Sequence, residues 1–128
     1  MEAVSAVYLL INNNLGSFGI TGGVYKQPRP TSEDKEDIVI GSLPITFEQL
    51  QKGILNVNVH VPNLLLGINM QDSQPDYARI SVLTGLVIKL LDNHYFGDSW
   101  LAVQQQQTFV EDSSSYSNIR VEIYSENI

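Results

Sequence analysis

The sequence has no cysteine, few basic residues and no apolar run long enough to span a membrane. Without cysteine, a disulfide framework, a thiolate zinc site and a cysteine nucleophile are excluded. The 7 lysines and arginines stand against 14 aspartates and glutamates, which gives a net charge of −7, and the bases do not cluster. We therefore expect no tight binding to nucleic-acid phosphates and no insertion into a membrane.

Sequence motifs for catalysis, phosphate binding and metal binding are also missing. The chain has no phosphate-binding loop, no serine in a nucleophile elbow and no pair of histidines at metal-ligand spacing. The strand-face neighbours of His60 are Asn56 and Asn58, which neither orient an imidazole as a base nor complete a metal shell. His94 is placed near the end of a helix, where its role is structural. We expect no catalytic residue, no cofactor, no bound metal and no enzymatic activity.

The clearest structural signal is the stretch 51–62, QKGILNVNVHVP, in which valines alternate with polar residues. Such alternation predicts a strand with one apolar and one polar face. An apolar stripe from Asp76 to His94 predicts a helix, with Asp76 as its cap. We expect this helix to cover the apolar face of the sheet. The residues expected beneath it are Val57, Val59, Val61, Ile119, Val121 and Ile123.

The remaining segments predict a mixed fold. An amphipathic helix is expected before the asparagines at 12–14, and residues 23–43 predict a long hairpin with a charged tip. A second hairpin is expected from strands at 100–110 and 119–124, with residues 112–118 as its turn. A chain of 128 residues has the length of one domain, so residues 1–128 are interpreted as a single unit. The prediction is an α+β fold with an antiparallel sheet of about five strands and two helices, in the order α-β-β-β-α-β-β.

Two stretches have an unusual distribution of polarity. The linker 63–76 is apolar where a loop would normally be polar, so it either folds over the core or meets another chain. The run Gln104 to Gln107 makes both faces of its strand polar, so this part of the hairpin either projects into solvent or lies against a neighbouring subunit. The acidic connector 33–37 is typical of a solvated loop, and a calcium loop is disfavoured because the connector lacks glycine.

The order of these elements resembles that of tail terminator and tail-completion (neck) proteins of long-tailed phages and prophages. The resemblance extends over nearly the whole chain and includes the segments GGVY, PRP, ILNVNVHVP, PDYAR and IRVEIY. It implies a structural protein that forms a ring, commonly hexameric, which caps the tail tube and joins it to the head. The implied partners are further copies of this chain, the tail tube and head-connector proteins. The implied location is the virion, and the host cytoplasm during assembly.

A ring of this kind needs a subunit interface and a channel wall. Candidates for the interface are Leu64, Leu65, Leu66, Ile68, Met70, Tyr25 and Arg29. A channel that passes DNA should avoid lysine and arginine, because each would add a phosphate contact that slows passage. Amide-rich or acidic surface suits that role, and the candidates are Gln104, Gln105, Gln106, Gln107, Glu33, Asp34 and Glu36.

Two other functional classes are considered beside the ring. A monomeric or dimeric adaptor or binding domain of a non-phage system would share the fold and the acidic surface. A carboxylate-dependent hydrolase would need a cluster of acids that only the fold could bring together. The oligomeric state separates the first alternative from the ring, and the positions of the acids bear on the second.

Overall fold

The computed structural model describes residues 3–29, 35–42, 52–70, 72–96 and 99–125. The chain begins with helices α1 (Ala3–Asn13) and α2 (Leu15–Phe18) and a short strand β1 (Val24–Lys26). Strands β2 (Asp37–Ser42) and β3 (Lys52–Pro62) follow, and then β4 (Leu64–Leu66), a 3-10 turn (Ile68–Met70) and β5 (Asp72–Gln74). Helix α3 (Tyr77–Leu91) leads to β6 (His94–Phe96), β7 (Ser99–Phe109) and β8 (Ser114–Ser125).

The described strands form a curled 6-stranded sheet in the order β1-β2-β3-β8-β7-β6 and a separate 2-stranded hairpin of β4 and β5. At the centre, β3 pairs antiparallel with β8 along its whole length, from Lys52 opposite Tyr124 to Pro62 opposite Ser114. The predicted α+β class is confirmed. The predicted count and order of elements are wrong, because α2, β4, β5 and β6 contain only three or four residues each and leave no periodic signal.

The predicted hairpin at 23–43 is also wrong. Strand β1 runs parallel to β2, with Val24 opposite Ile38, so the chain leaves the sheet after β1 and re-enters at the same end. The N–H of Gly22 donates to the carbonyl oxygen of Glu36 at 2.9 Å, which holds the start of β2 beside the start of β1. The carboxylate of Asp37 accepts from the side chain of Arg29 at 3.2 Å, so the returning chain folds along the outgoing one.

The core lies between the sheet and the two longer helices. The predicted inward-facing residues Val57, Val59, Val61, Ile119 and Val121 are at most 1% exposed, and Ile123 packs at the margin of the same cluster. Helix α3 packs against β3, β8 and β7, whereas α1 packs against β1, β2 and β3. The prediction that α3 covers this face is therefore confirmed, and α1 shares the task by burying Val4, Val7 and Ile11.

Helix α3 begins as predicted and ends earlier than predicted. The side chain of Asp76 accepts a hydrogen bond from the backbone N–H of Arg79, which is an N-cap. The helix ends at Leu91, and Asn93 has a positive φ of 55° that turns the chain into β6. His94 therefore belongs to a strand, and its predicted position near the end of the helix is wrong. Its ladder partner is Leu101 of β7.

Candidate interaction surface

The apolar linker forms a hairpin of its own outside the main sheet. Strand β4 pairs antiparallel with β5, with Leu64 opposite Gln74 and Leu66 opposite Asp72. The turn between them uses Gly67 at φ 83° and Asn69 at φ 63°. Glycine suits such a left-handed conformation because it has no Cβ, and asparagine tolerates it better than most residues.

This hairpin exposes its apolar side chains. Leu64 and Leu66 are each 43% exposed, Leu65 is 56% exposed and Ile68 is 88% exposed. The sequence left open whether this segment folds over the core or meets another chain, and its exposure shows that it does not cover the core. The side chain of Met70, the last residue of the 3-10 turn, lies outside the described part. We call Leu64, Leu65, Leu66 and Ile68 the leucine patch.

The base of the hairpin is held to the turn between β7 and β8 by the side chain of Asn63. Its Nδ2 donates to the carbonyl oxygen of Glu111 at 2.8 Å, and its Oδ1 accepts from the hydroxyl of Ser115, also at 2.8 Å. The backbone N–H of Asn63 donates to the carbonyl oxygen of Ser113 at 3.0 Å. One residue thus connects the end of β3 to both sides of a distant turn.

A second anchor comes from β5. The hydroxyl of Ser73 donates to the carbonyl oxygen of Asp112 at 2.7 Å and accepts from the Nδ2 of Asn63 at 3.0 Å. Both strands of the hairpin are therefore fixed at their polar base, which presents the leucine patch in a defined position. Sequence reasoning missed Asn63 and Ser73, because their partners on the β7–β8 turn and β8 lie 39 to 52 residues further along the chain and leave no local pattern.

The glutamine run lies on β7, where a bulge interrupts the pairing with β8 between Val103 and Gln105. All four glutamines are exposed. The Nε2 of Gln104 donates to the carboxylate of Glu122 at 2.7 Å, and that of Gln106 donates to the hydroxyl of Ser117 at 2.8 Å. These side chains therefore lie on opposite faces of the sheet, above and below a strand that carries no charge.

The other residues proposed from the sequence have different environments. The side chain of Arg29 is 18% exposed, and its guanidinium is paired with Asp37. The carboxylate of Glu36 accepts from the Nε of Arg79 at 2.6 Å, and this hydrogen bond is the main cause of the raised pKa of Arg79. Tyr25 lies half-buried on β1. Glu33 and Asp34 lie outside the described residues.

The sheet face opposite the helices carries aromatic and amide side chains. His60 packs against Tyr116 with ring centroids 5.0 Å apart, and Tyr116 stacks on Phe109 at the same spacing. The amide of Asn118 donates to the Oδ1 of Asn58 at 2.7 Å. Burial, and next the charge of Arg29, lower the pKa of His60 from 6.5 to about 4 despite the opposing effect of Asp37. This imidazole is therefore neutral near pH 7 and a weak base.

The described residues contain no group of three or more histidines, aspartates or glutamates that could hold a metal ion. Within the same part of the chain, no helix is long and apolar enough to cross a membrane. No protein-family model matches this chain, and a search of curated proteins finds no match either. The leucine patch, its polar base and the exposed glutamines of β7 are therefore the features that bear on function.

Proposed function

We propose that this chain is a structural protein of a phage or prophage tail, a tail terminator or head–tail joining protein that forms a ring on the tail tube. The observation that carries this proposal is the leucine patch. Its four side chains are 43% to 88% exposed on a hairpin whose base is fixed by Asn63 and Ser73. An apolar surface held in one position favours docking against a partner, because little ordering is needed on binding.

The sequence of the patch suits a contact between identical copies. Residues 64–70 contain no charged side chain, although the chain as a whole has a net charge of −7. Two acidic copies that meet through this segment avoid most of the repulsion between their other surfaces. If the patch meets a different surface on the next copy, the contact is head-to-tail, and repetition of such a contact closes a ring when the rotation allows it.

The leucine patch is too small to hold two copies together strongly, so closure of the ring would be needed for a stable assembly. Complete burial of a leucine or isoleucine side chain is worth roughly 1.5 to 3 kcal/mol, so burial of the surface still exposed here contributes about 5 kcal/mol. Association costs an estimated 4 to 15 kcal/mol in lost rigid-body freedom. One such contact is therefore weak, whereas in a closed ring every subunit is held by two neighbours. We therefore propose that the ring assembles cooperatively as the protein concentration rises.

The channel surface is part of the same proposal. Gln104, Gln105 and Gln107, on the sheet face opposite the helices, are proposed together with Glu33 and Asp34 to face the channel or its mouth, because amides and acids do not hold DNA phosphates. Gln106 lies on the other face and is left out. We leave Glu36 out of this surface, since its carboxylate is paired with Arg79 and is only 12% exposed. We also leave Arg29 out of the subunit interface, since its guanidinium is paired with Asp37.

The test is a double substitution in the patch, Leu65→Glu with Leu66→Glu. We expect a folded monomer, because the exposed leucines contribute little to the core and the two acids repel a second copy. The matched control is Leu9→Glu with Val82→Glu, since these residues are 52% and 54% exposed on the helices. Native mass spectrometry over a range of concentrations should show assembly for the control and the wild type only. An unchanged oligomer in the patch variant would remove the leucine patch from the interface.

A further inference from the structure

Strand β7 has an open edge. Strand β6 covers only Ser99, Trp100 and Leu101 of its outer side, and among the described strands none pairs with residues 102–109 on that side. The backbone N–H of Val103 points to this edge, because it donates to the side chain of Asp92 at 3.0 Å instead of to β8. Beyond Val103 the edge therefore presents main-chain groups to any strand that approaches it.

The bulge determines which main-chain groups face outward. In an antiparallel ladder, every second residue directs its N–H and C=O away from the partner strand. Val103 is such a residue, and the bulge adds Gln104 before the pairing resumes with Gln105 opposite Arg120. The next residues whose N–H and C=O groups point away from β8 are consequently Gln106 and Thr108. They lie opposite Ile119 and Ser117 of β8 as non-hydrogen-bonded pairs. Two N–H groups and two carbonyl oxygens are thus available.

We propose that this edge receives the β4–β5 hairpin of a second copy, so that main-chain hydrogen bonds join the two chains into one extended sheet. The inference rests on the proposed function, because it names the surface that the leucine patch meets. The hairpin has a free outer side on β4, since β4 pairs only with β5 among the described strands. Strand addition of this kind obtains its affinity from the main chain and its specificity from the side chains.

The side chains of the two surfaces favour this particular occupant. Residues 102–109 carry no charge, as residues 64–70 carry none, so the contact joins two neutral stretches of an acidic chain. At the far end of β7, Phe109 is 38% exposed and Val110 is 56% exposed, which offers apolar surface for the leucines. Side chains stand above and below the sheet, so pairing along the edge does not cover Gln104, Gln105 and Gln107 on the face proposed for the channel.

The test uses two variants that each lose one side of the contact. The edge variant carries Gln106→Pro and Thr108→Pro, which remove the two outward N–H groups without removing an N–H that pairs with β8. The patch variant carries Leu65→Glu and Leu66→Glu. Each variant alone should be a folded monomer by native mass spectrometry. Mixed in equal amounts at concentrations well above those that assemble the wild type, they should form a weak dimer of one copy of each, because one intact edge then meets one intact hairpin without the support of a closed ring.

A matched control separates the effect of losing the backbone N–H groups from the effect of losing the side chains. Gln106→Ala with Thr108→Ala keeps both N–H groups and should assemble as the wild type does. An edge variant that still assembles, beside a monomeric patch variant, would overturn the edge contact and leave the proposed function standing. A patch variant that dimerises by itself would overturn the pairing of hairpin with edge and indicate edge-to-edge pairing. A mixture that shows no dimer even at concentrations well above those that assemble the wild type would also overturn it.

Hydrogen exchange on the wild type provides the second measurement, in case the prolines prevent folding. The amides of Gln106 and Thr108 face solvent in a single copy and should exchange rapidly at low protein concentration. In the assembled state they should be protected at least tenfold, together with amides of β4. Protection of β4 without protection of these two amides would contradict the inference, and protection of neither on assembly would remove the leucine patch from the interface as well. A protein that does not assemble would contradict the proposed function.

Discussion

Asn63 donates its side-chain amide to the backbone carbonyl oxygen of Glu111 at 2.8 Å, although the two residues are 48 positions apart. This bond joins the end of the central strand β3 to the turn between β7 and β8. The hairpin with the leucine patch starts at the next residue, so its direction depends on this connection. The surface proposed for assembly is thus positioned by the sheet and not by the hairpin alone.

Replacing Asn63 with alanine should loosen the hairpin. The substitution removes the partners of the Glu111 carbonyl oxygen and the Ser115 hydroxyl, and each lost hydrogen bond at a partly solvated site costs roughly 0.5 to 1.5 kcal/mol. We expect a loss of about 1 to 2 kcal/mol in the free energy of unfolding, measured in urea, and weaker assembly. Gln74→Ala is the control on the same hairpin. Equal stability of Asn63→Ala and wild type would show that these bonds do not hold the hairpin.

The two faces of β3 should respond differently to a carboxylate. Val59 is fully buried beneath the helices, so Val59→Asp would place an unpaired charge in the core and should unfold the domain. On the opposite face, Asn58→Asp keeps the oxygen that accepts from Asn118 and should remain folded. Circular dichroism during heating distinguishes the two variants. A soluble Val59→Asp protein with a cooperative transition would contradict the register described for β3.

His60 should make the fold less stable in mild acid. Its pKa is about 4 in the folded chain and near 6.5 when exposed, so the unfolded chain binds more protons between these values. The stability that neutral His60 contributes to the folded chain is therefore complete above about pH 6.5 and declines as the pH falls toward 4. The difference in unfolding free energy between wild type and His60→Gln, measured at pH 7.5 and pH 4.5, should shift against the wild type at the lower pH. A constant difference would argue against a neutral, desolvated imidazole.

The assembled protein should bind double-stranded DNA weakly even at low salt. The chain carries twice as many acids as bases, and the glutamine run adds amides instead of cations to the proposed channel. Fluorescence anisotropy with a labelled duplex is the measurement, and we expect dissociation constants weaker than micromolar. Tighter binding with a steep dependence on salt would replace the inert channel with a DNA-binding role.

The regular alternation in β3 and in the second half of β8 made the central pair of strands predictable. The stripe of α3 was equally informative, because a helix that covers a sheet must repeat its apolar residues at helical spacing. The first half of β8 lies within the predicted turn 112–118, because Ser114 to Asn118 contain no apolar alternation. Ser115 and Ser117 are nevertheless fully buried. The hydroxyl of Ser115 donates to the side chain of Asn63, and that of Ser117 accepts from Gln106 of β7.

The parallel pairing of β1 with β2 was beyond the reach of sequence patterns. Parallel neighbours usually need a crossover of a dozen or more residues, so a short connection between two strands suggests a hairpin. Here Arg29, which follows β1, bonds Asp37 and the carbonyl oxygen of Lys35 and so holds the start of β2 close to the end of β1. The same limit applies to the leucine patch. Its composition marked the segment as unusual, but only the anchors at Asn63 and Ser73 reveal that it projects from the fold.

The most direct test of the account is the native mass of the wild-type protein over a wide range of concentrations, with negative-stain images of any large species. We predict closed rings of several copies that dissociate to monomers on dilution, without stable intermediates of two or three copies. A protein that remains monomeric at every concentration, or that forms a dimer and nothing larger, would contradict the central claim that this chain assembles into a ring.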